Sequence, residues 1–225
     1  HPRTAYEFLH GMSVYEWTHP PLGKVLMGIG ISIFGMVPFG WRFIGTLFGV
    51  LMVPVVYLLA RRCLRYRWIA ILGCLIFTFD FMHFTQTRLA TIDTYVTFFI
   101  MLMYYYMYKY YKKSFYDTPL FKTLIPLGLS GIFFGLSVAS KWTGLYAGAG
   151  LAIIFFITIS DRYKEYKYAL SNPKGETDGI SHKTVIDKFT KNTVITLAFC
   201  CVMFIVVPFA IYTLSYIPYM NTPSG

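Results

Sequence analysis

Charge is scarce in this chain. Only 13% of its 225 residues are Asp, Glu, Lys or Arg, while 56% are hydrophobic and 20% aromatic, so there is too little polar surface to cover a water-soluble globule. The medium that suits such a composition is a lipid bilayer. Acidic residues are the scarcest, 10 against 20 Lys and Arg, for a formal net charge of +10. In a soluble protein that excess would point to nucleic acid. Here the basic residues cluster in short loops between apolar runs, the positive-inside pattern of membrane proteins, and no nucleic-acid partner is expected. Cysteine is sparse too: Cys74, Cys200 and Cys201 lie inside apolar runs and Cys63 sits among arginines, with neither a disulfide framework nor zinc spacing. Equally absent are a Gly-rich phosphate loop after a strand, a Ser-His-Asp order and a His/Cys cluster with metal spacing. A nucleotide-sugar enzyme would need a soluble nucleotide-binding domain, and none fits between the apolar runs. An activated substrate would therefore carry its activating group on a membrane lipid.

Six runs can span a bilayer core of roughly 30 Å, which needs about 20 helical residues: 41–60, 68–84, 94–111, 123–140, 143–160 and 193–215. Fifteen of the 20 Lys and Arg fall in three loops between them, at 61–67, 109–122 and 162–191. If those loops are cytoplasmic, residues 1–40, 85–93, 141–142 and 216–225 lie on the opposite side, together with the remaining Arg3, Lys24, Arg42, Arg88 and Lys141. The same parity excludes 22–37 as a span, because counting it would turn the arginine loop at 61–67 outward; it is expected to lie as a helix on the outer surface. The expected organisation is all-α: a first extracytoplasmic loop with surface helices over 1–40, a six-span bundle over 41–215 with a flexible cytoplasmic loop at 161–192, and the start of another outer loop at 216–225. With no initiator Met and no signal peptide, the chain is expected to be a piece of a longer protein.

Within Thr18-His19-Pro20-Pro21-Leu22-Gly23-Lys24 two prolines end any preceding helix and invite a new one. That places His19 and Lys24 around a helix N-terminus, where free N–H groups favour an anion. Arg3, Glu7, Glu16, Arg88, Asp93 and Lys141 fall on the same side of the bilayer, with Asp80 and His83 about a turn below. Any one of them alone is most simply a solvated span end. Asp93 also fits an N-cap for the helix from 94. Asp80 and His83, three residues apart on one helical face of an apolar run, are costly if unpaired. Pairing with each other or with Lys141, proton transfer and metal binding all stay open for them.

THPPLGK (18–24), GWRFIGTLFG (40–49), QTRLATIDTYVTFF (86–99) and GLSVASKWTGL (135–145) resemble, in this order, the dolichyl-phosphate-mannose protein O-mannosyltransferases and their bacterial relatives, polyprenol-phosphate-sugar-dependent transferases of the GT-C architecture. The resemblance runs along nearly the whole chain except 161–192. It implies a GT-C-type helical bundle, a polyprenyl or dolichyl phosphate mannose donor, a Ser/Thr-containing protein acceptor and an extracytoplasmic active site, in the plasma membrane of a bacterium or the ER membrane of a eukaryote. It also implies an Asp-Glu pair at the end of a first membrane helix upstream of His1, so that this chain would be an N-terminal half without its first helix, inactive alone.

Direct, inverting transfer of a hexose needs a carboxylate to take the acceptor proton and cations to hold the departing phosphate. On this reading Arg88, His19 and Lys24 would bind the donor phosphate, with Arg88 first because a guanidinium engages two phosphate oxygens. Asp93 and Glu16 would support catalysis beside the upstream pair, and Arg3, Glu7, Asp80, His83, Lys141 and Trp142 would be available to touch substrate. A divalent metal is compatible with the reading and is not demanded by it. The rivals are a GT-C transferase acting on a lipid or cell-wall glycan and, from another class, a transporter or flippase, whose ionisable groups would sit near the bilayer midplane.

Overall fold

The computed structural model describes residues 1–177 and 179–223. Position 178 of the expected loop and the last two residues of the expected outer segment 216–225 lie outside the described residues. The chain runs α1 (Pro2–His10), α2 (Leu22–Phe34), α3 (Pro38–Cys63), α4 (Arg67–Phe79), α5 (Phe81–Gln86), α6 (Asp93–Tyr111), α7 (Leu120–Ser140), α8 (Thr143–Ser171), a two-residue hairpin of β1 (Glu176–Thr177) and β2 (Ile180–Ser181), α9 (His182–Cys201), a π-helical turn (Val202–Val206), α10 (Val207–Ser215) and α11 (Ile217–Met220). Among the described residues four stretches are long and apolar enough to cross a membrane: Pro38–Cys63, Leu120–Ser140, Thr143–Ser171 and the run His182–Met220.

The other two expected spans differ in instructive ways. Residues 68–84 are not one helix. The backbone turns extended at Asp80 (φ −63°, ψ 127°), which caps α5 by accepting the His83 N–H at 2.8 Å. The preceding α4, 13 residues long, reaches about 20 Å at about 1.5 Å per residue. The expected 94–111 run is a single helix, α6, but its second half is rich in tyrosine, which lowers its hydropathy. α6 is the central pillar, burying Tyr95, Val96, Phe99, Met103, Met107 and Tyr110, and its broadest packing is with α7.

Three apolar cores stack along α6 and beyond. The first joins α1, α2, α3 and α6 through Ala5, Met27, Ile31, Ile44, Ile92, Tyr95 and Phe99, so the two short N-terminal helices are welded to the bundle. The second centres on Met103, Met107, Leu127 and Leu151 between α6, α7 and α8. The third, Phe115, Tyr116, Ala169 and Val185, ties the α6–α7 connection to α8 and α9. It accounts for another departure: most of 161–192 is helix. Polar residues there carry i,i+3 pairs, Asp161–Lys164 at 2.9 Å and Arg162–Glu165 at 3.0 Å, and α8 and α9 zip together through Tyr166 and Phe189, whose rings stack 4.4 Å apart. Among the described residues, 172–177 and 179–181 connect the two helices.

Two glycines set close helix approaches. A Cβ on Gly30 of α2 would run into the Gly40 carbonyl of α3, and one on Gly131 of α7 would strike the Met203 carbonyl in the π-helical turn.

Candidate functional site

Arg88 sits on the turn that follows α5. Thr46 of α3 donates to the Thr87 carbonyl at 3.2 Å, Thr94 of α6 donates to the Gln86 carbonyl at 3.3 Å, and Gly49 leaves room for the Thr87 side chain. The turn is thus pinned between two long helices, and Arg88 is exposed. Its guanidinium lies 3.5 Å from the Phe84 ring centroid, and among the described residues no carboxylate pairs with it. It lines two adjoining cavities along α3, one of about 630 Å³ that also contains Arg42, Phe43 and Leu47, the other of about 440 Å³ reaching Val53, Thr78 and His83. A cation where two largely apolar cavities meet suits an anionic head with an apolar chain beside it.

Asp93 and Lys141 meet. Asp93 is not the expected N-cap: the cap is Ile92, and Asp93 is the first residue of α6, where the helix dipole favours a carboxylate. Lys141 caps the C-terminus of α7 in an extended conformation and reaches the Asp93 carboxylate at 2.6 Å. Beside it Trp142, 61% exposed, donates its indole N–H to the Tyr212 hydroxyl at 3.3 Å, and that hydroxyl is 3.0 Å from Tyr216.

The third group surrounds Glu16. Its carboxylate is 2.9 Å from His1 Nδ1, takes a hydrogen bond from the Thr18 hydroxyl and lies 3.8 Å from Lys24 Nζ. Burial pushes the Glu16 carboxyl up, but the Thr18 hydroxyl, the Lys24 charge and the amino group of His1 together outweigh it and hold the group below its usual range. Lys24 is 0% exposed; its ammonium donates to the Glu16 carbonyl at 2.9 Å and to the Tyr219 hydroxyl at 3.2 Å. The expectation of an open anion site at the start of α2 is corrected by this burial. Pro20, Pro21 and Gly23 are buried as well, and Gly23 abuts Ile92 of α6, so the first turn of α2 faces protein. His19 is half-buried, with its ring 5.8 Å from that of His1. Glu7, 3% exposed, holds Arg3 at 2.8 Å and accepts the Tyr15 N–H at 2.9 Å, which accounts for both its charge and its burial.

Asp80 and His83 do not share a helical face. Asp80 serves as the α5 cap, and His83 Nε2 is 3.2 Å from the Gly49 carbonyl, while its Nδ1 is buried with no partner. Among the described residues no three His, Cys, Asp or Glu side chains are grouped to hold a metal ion. Sequence reasoning did not select Tyr219, Tyr212 or Arg42. The first two lie far along the chain from the residues they touch, and Arg42 read only as one more basic residue on the outer side.

The profile of the family described as dolichyl-phosphate-mannose-protein mannosyltransferase matches residues 12–222. A polyprenol-phosphate-mannose protein mannosyltransferase of Mycolicibacterium smegmatis is 27% identical across 98% of this chain and 44% of its own length. Its namesake in Mycobacterium tuberculosis is 29% identical across 57% of this chain and 27% of its own length. The chain thus spans less than half the length of these relatives. The solved structure of the Saccharomyces cerevisiae protein O-mannosyltransferase Pmt1-Pmt2 complex bound to the sugar donor has the same fold over 96% of this chain and 29% of that one, with a TM-score of 0.72 at 20% identity. Four long apolar stretches and this match describe an integral membrane protein, and the chain belongs to the dolichyl-phosphate-mannose-protein mannosyltransferase family.

Proposed function

We propose that the protein this chain spans in part transfers mannose from a polyprenol-phosphate-mannose donor to Ser or Thr hydroxyls of a protein acceptor, with inversion, at the extracytoplasmic face. The observation that carries the reading is Arg88: an exposed guanidinium, free of any carboxylate among the described residues, where two largely apolar cavities along α3 meet, with Arg42 lining one of them. A phosphate on a polyprenyl chain matches both features, the head by charge-assisted hydrogen bonds and the chain by apolar contact. The names of the relatives supply the mannose and the protein acceptor.

In the transfer, a carboxylate takes the proton of the acceptor hydroxyl, whose oxygen attacks the anomeric carbon. The bond from that carbon to the phosphate oxygen breaks, and the polyprenyl phosphate departs with the electron pair. Arg88 neutralises the charge that develops there, where a preorganised cation is worth most. The base belongs to the Asp-Glu pair that the family resemblance puts upstream of His1. Asp93, fixed by Lys141, orients the sugar or acceptor. The fifteen Lys and Arg clustered at 61–67, 109–122 and 162–191, in helix ends and the connections between them, support the extracytoplasmic side.

A transfer assay tests this: the full-length protein in liposomes, radiolabelled polyprenol-phosphate-mannose and a Ser/Thr-rich peptide. Label in the peptide as an α- or β-mannoside of configuration opposite to the donor is expected. Label only in lipid or glycan, with the peptide blank, contradicts the proposed acceptor.

A further inference from the structure

Two acid–cation pairs in the candidate site, Glu16–Lys24 and Asp93–Lys141, lie on different elements, and one segment touches the first pair and Trp142, the neighbour of Lys141 in the second. Tyr219 of α11 donates its hydroxyl to the Glu16 carbonyl at 3.0 Å and receives Lys24 Nζ at 3.2 Å. Its ring stacks on Trp17 with centroids 4.4 Å apart and meets Phe8 edge-on at 4.7 Å. One turn earlier Tyr216 faces Tyr219 with ring centroids 5.6 Å apart and shares a hydroxyl contact with Tyr212, which in turn receives the Trp142 indole N–H beside Lys141. Tyrosines at 212, 216 and 219 follow helical spacing, so one stripe of α10 and α11 carries all three.

We infer that Tyr219 and Lys24 are positioning residues: the Lys24–Tyr219 clasp on the Glu16 carbonyl holds the outer loop 11–19 in register with the Asp93–Lys141 pair through the tyrosine stripe of α10 and α11.

Three observations favour a clasp over a ligand site. Lys24 is fully buried and its ammonium is spent on protein acceptors. An ammonium with no solvent contact is costly unless paired and hydrogen-bonded, and burial indeed pulls its proton affinity down while Glu16 pulls it up. The loop itself contains no helix or strand from Gly11 to Pro20. Its other ties run to α1 and its N-cap, from the Met12 and Tyr15 N–H groups on Glu7 and from His1 on the Glu16 carboxylate, while the Trp17 indole N–H closes on the Val14 carbonyl within the loop, and none of these reaches α10 or α11. Without Tyr219 and Lys24 the loop would keep its ties to α1 and lose its link to α10 and α11.

The inference rests on the proposed transfer only for its effect on rate, so it is tested on the full-length protein in liposomes with two readouts. Tyr219→Phe keeps the ring and removes the hydroxyl, and Lys24→Met keeps the volume and removes the charge. Limited chymotrypsin cleavage after Tyr15 and Trp17, both exposed, reads the placement of the loop. Peptide mannosylation reads the transfer. Each variant is expected to be nicked at least about tenfold faster, with kcat down about tenfold, KM for donor changed less than about twofold, and the double variant no worse than Lys24→Met alone, as members of one unit behave. Unchanged nicking overturns the clasp, and faster nicking with wild-type kcat overturns the positioning role. If the wild-type protein mannosylates no peptide, the proposed function fails, and nicking alone still decides the clasp.

Discussion

A buried lysine, an unpaired arginine and an acid–base contact are different uses of the same few charges. Arg88 is the one aimed outward. Arg88→Ala is expected to reduce transfer by a hundredfold or more, about 3 kcal/mol of lost stabilisation of the leaving phosphate, and Arg88→Lys to recover only part of it because the bidentate geometry is lost. Steady-state kinetics with saturating peptide checks both, and near-normal turnover in Arg88→Ala would remove Arg88 from the site. For Asp93 and Lys141, 49% and 24% exposed in their side chains, a charge swap separates structure from chemistry. Asp93→Lys with Lys141→Asp should recover part of the thermal midpoint lost by either single change, a coupling of about 0.5 to 1 kcal/mol, short of the full amount because the swap opposes the dipoles of α6 and α7, yet leave transfer depressed if Asp93 orients substrate. Glu16 adds a pH signature. Its carboxyl is held below the ordinary range, so its contribution to stability is complete above that range and is lost as pH falls through the lowered native value. The difference in thermal midpoint between wild type and Glu16→Gln should be present above the ordinary carboxylate range and close as pH falls below about 4. The sequence showed that a Lys opens α2 but not that the turn faces Ile92, because burial on that side is created by α6, some seventy residues away. Tyr219 had no local signal at all; its partners, Glu16 and Lys24, lie near the other end of the chain.

At the scale of elements, apolar runs located the long helices well, since membrane-length runs leave few alternatives. Boundaries failed where polar chemistry acts locally. Asp80 breaks the run 68–84 because its carboxylate is satisfied by capping α5 rather than by lying on a helix face. Residues 161–171 and 182–192 are helical because Ala169, Val185 and Phe189 have a partner helix to bury against, a stripe visible in the sequence but masked there by charge. Helix contact makes its own prediction. Gly30→Ala and Gly131→Ala would each push a methyl into a facing backbone carbonyl and should lower the thermal midpoint in detergent, at about 1 to 3 kcal/mol each. Gly73→Ala in α4, where a Cβ meets nothing within 4 Å, should be neutral or stabilising by up to about 1 kcal/mol. Equal losses at all three positions would contradict this packing.

For the molecule as a whole, the proposal places α1, α2, the Arg88 turn and the α7–α8 junction on one side of the membrane and the α8–α9 hairpin on the other. In a background with the four native cysteines replaced, a cysteine at position 13 should react with a membrane-impermeant reagent on intact cells, and one at position 174 should react only after permeabilisation; both positions are exposed. The reverse pattern would invert the topology. The central claim is that Arg88 and the cavities along α3 hold a polyprenyl phosphate. Photo-crosslinking with a polyprenol-phosphate-mannose analogue bearing a photoreactive group in its first prenyl units tests it most directly on the full-length protein in liposomes. The account predicts adducts on the peptide containing residues 43–50, competed by unlabelled donor and reduced at least about tenfold by Arg88→Ala. Adducts elsewhere in the protein, undiminished by that substitution, would contradict it.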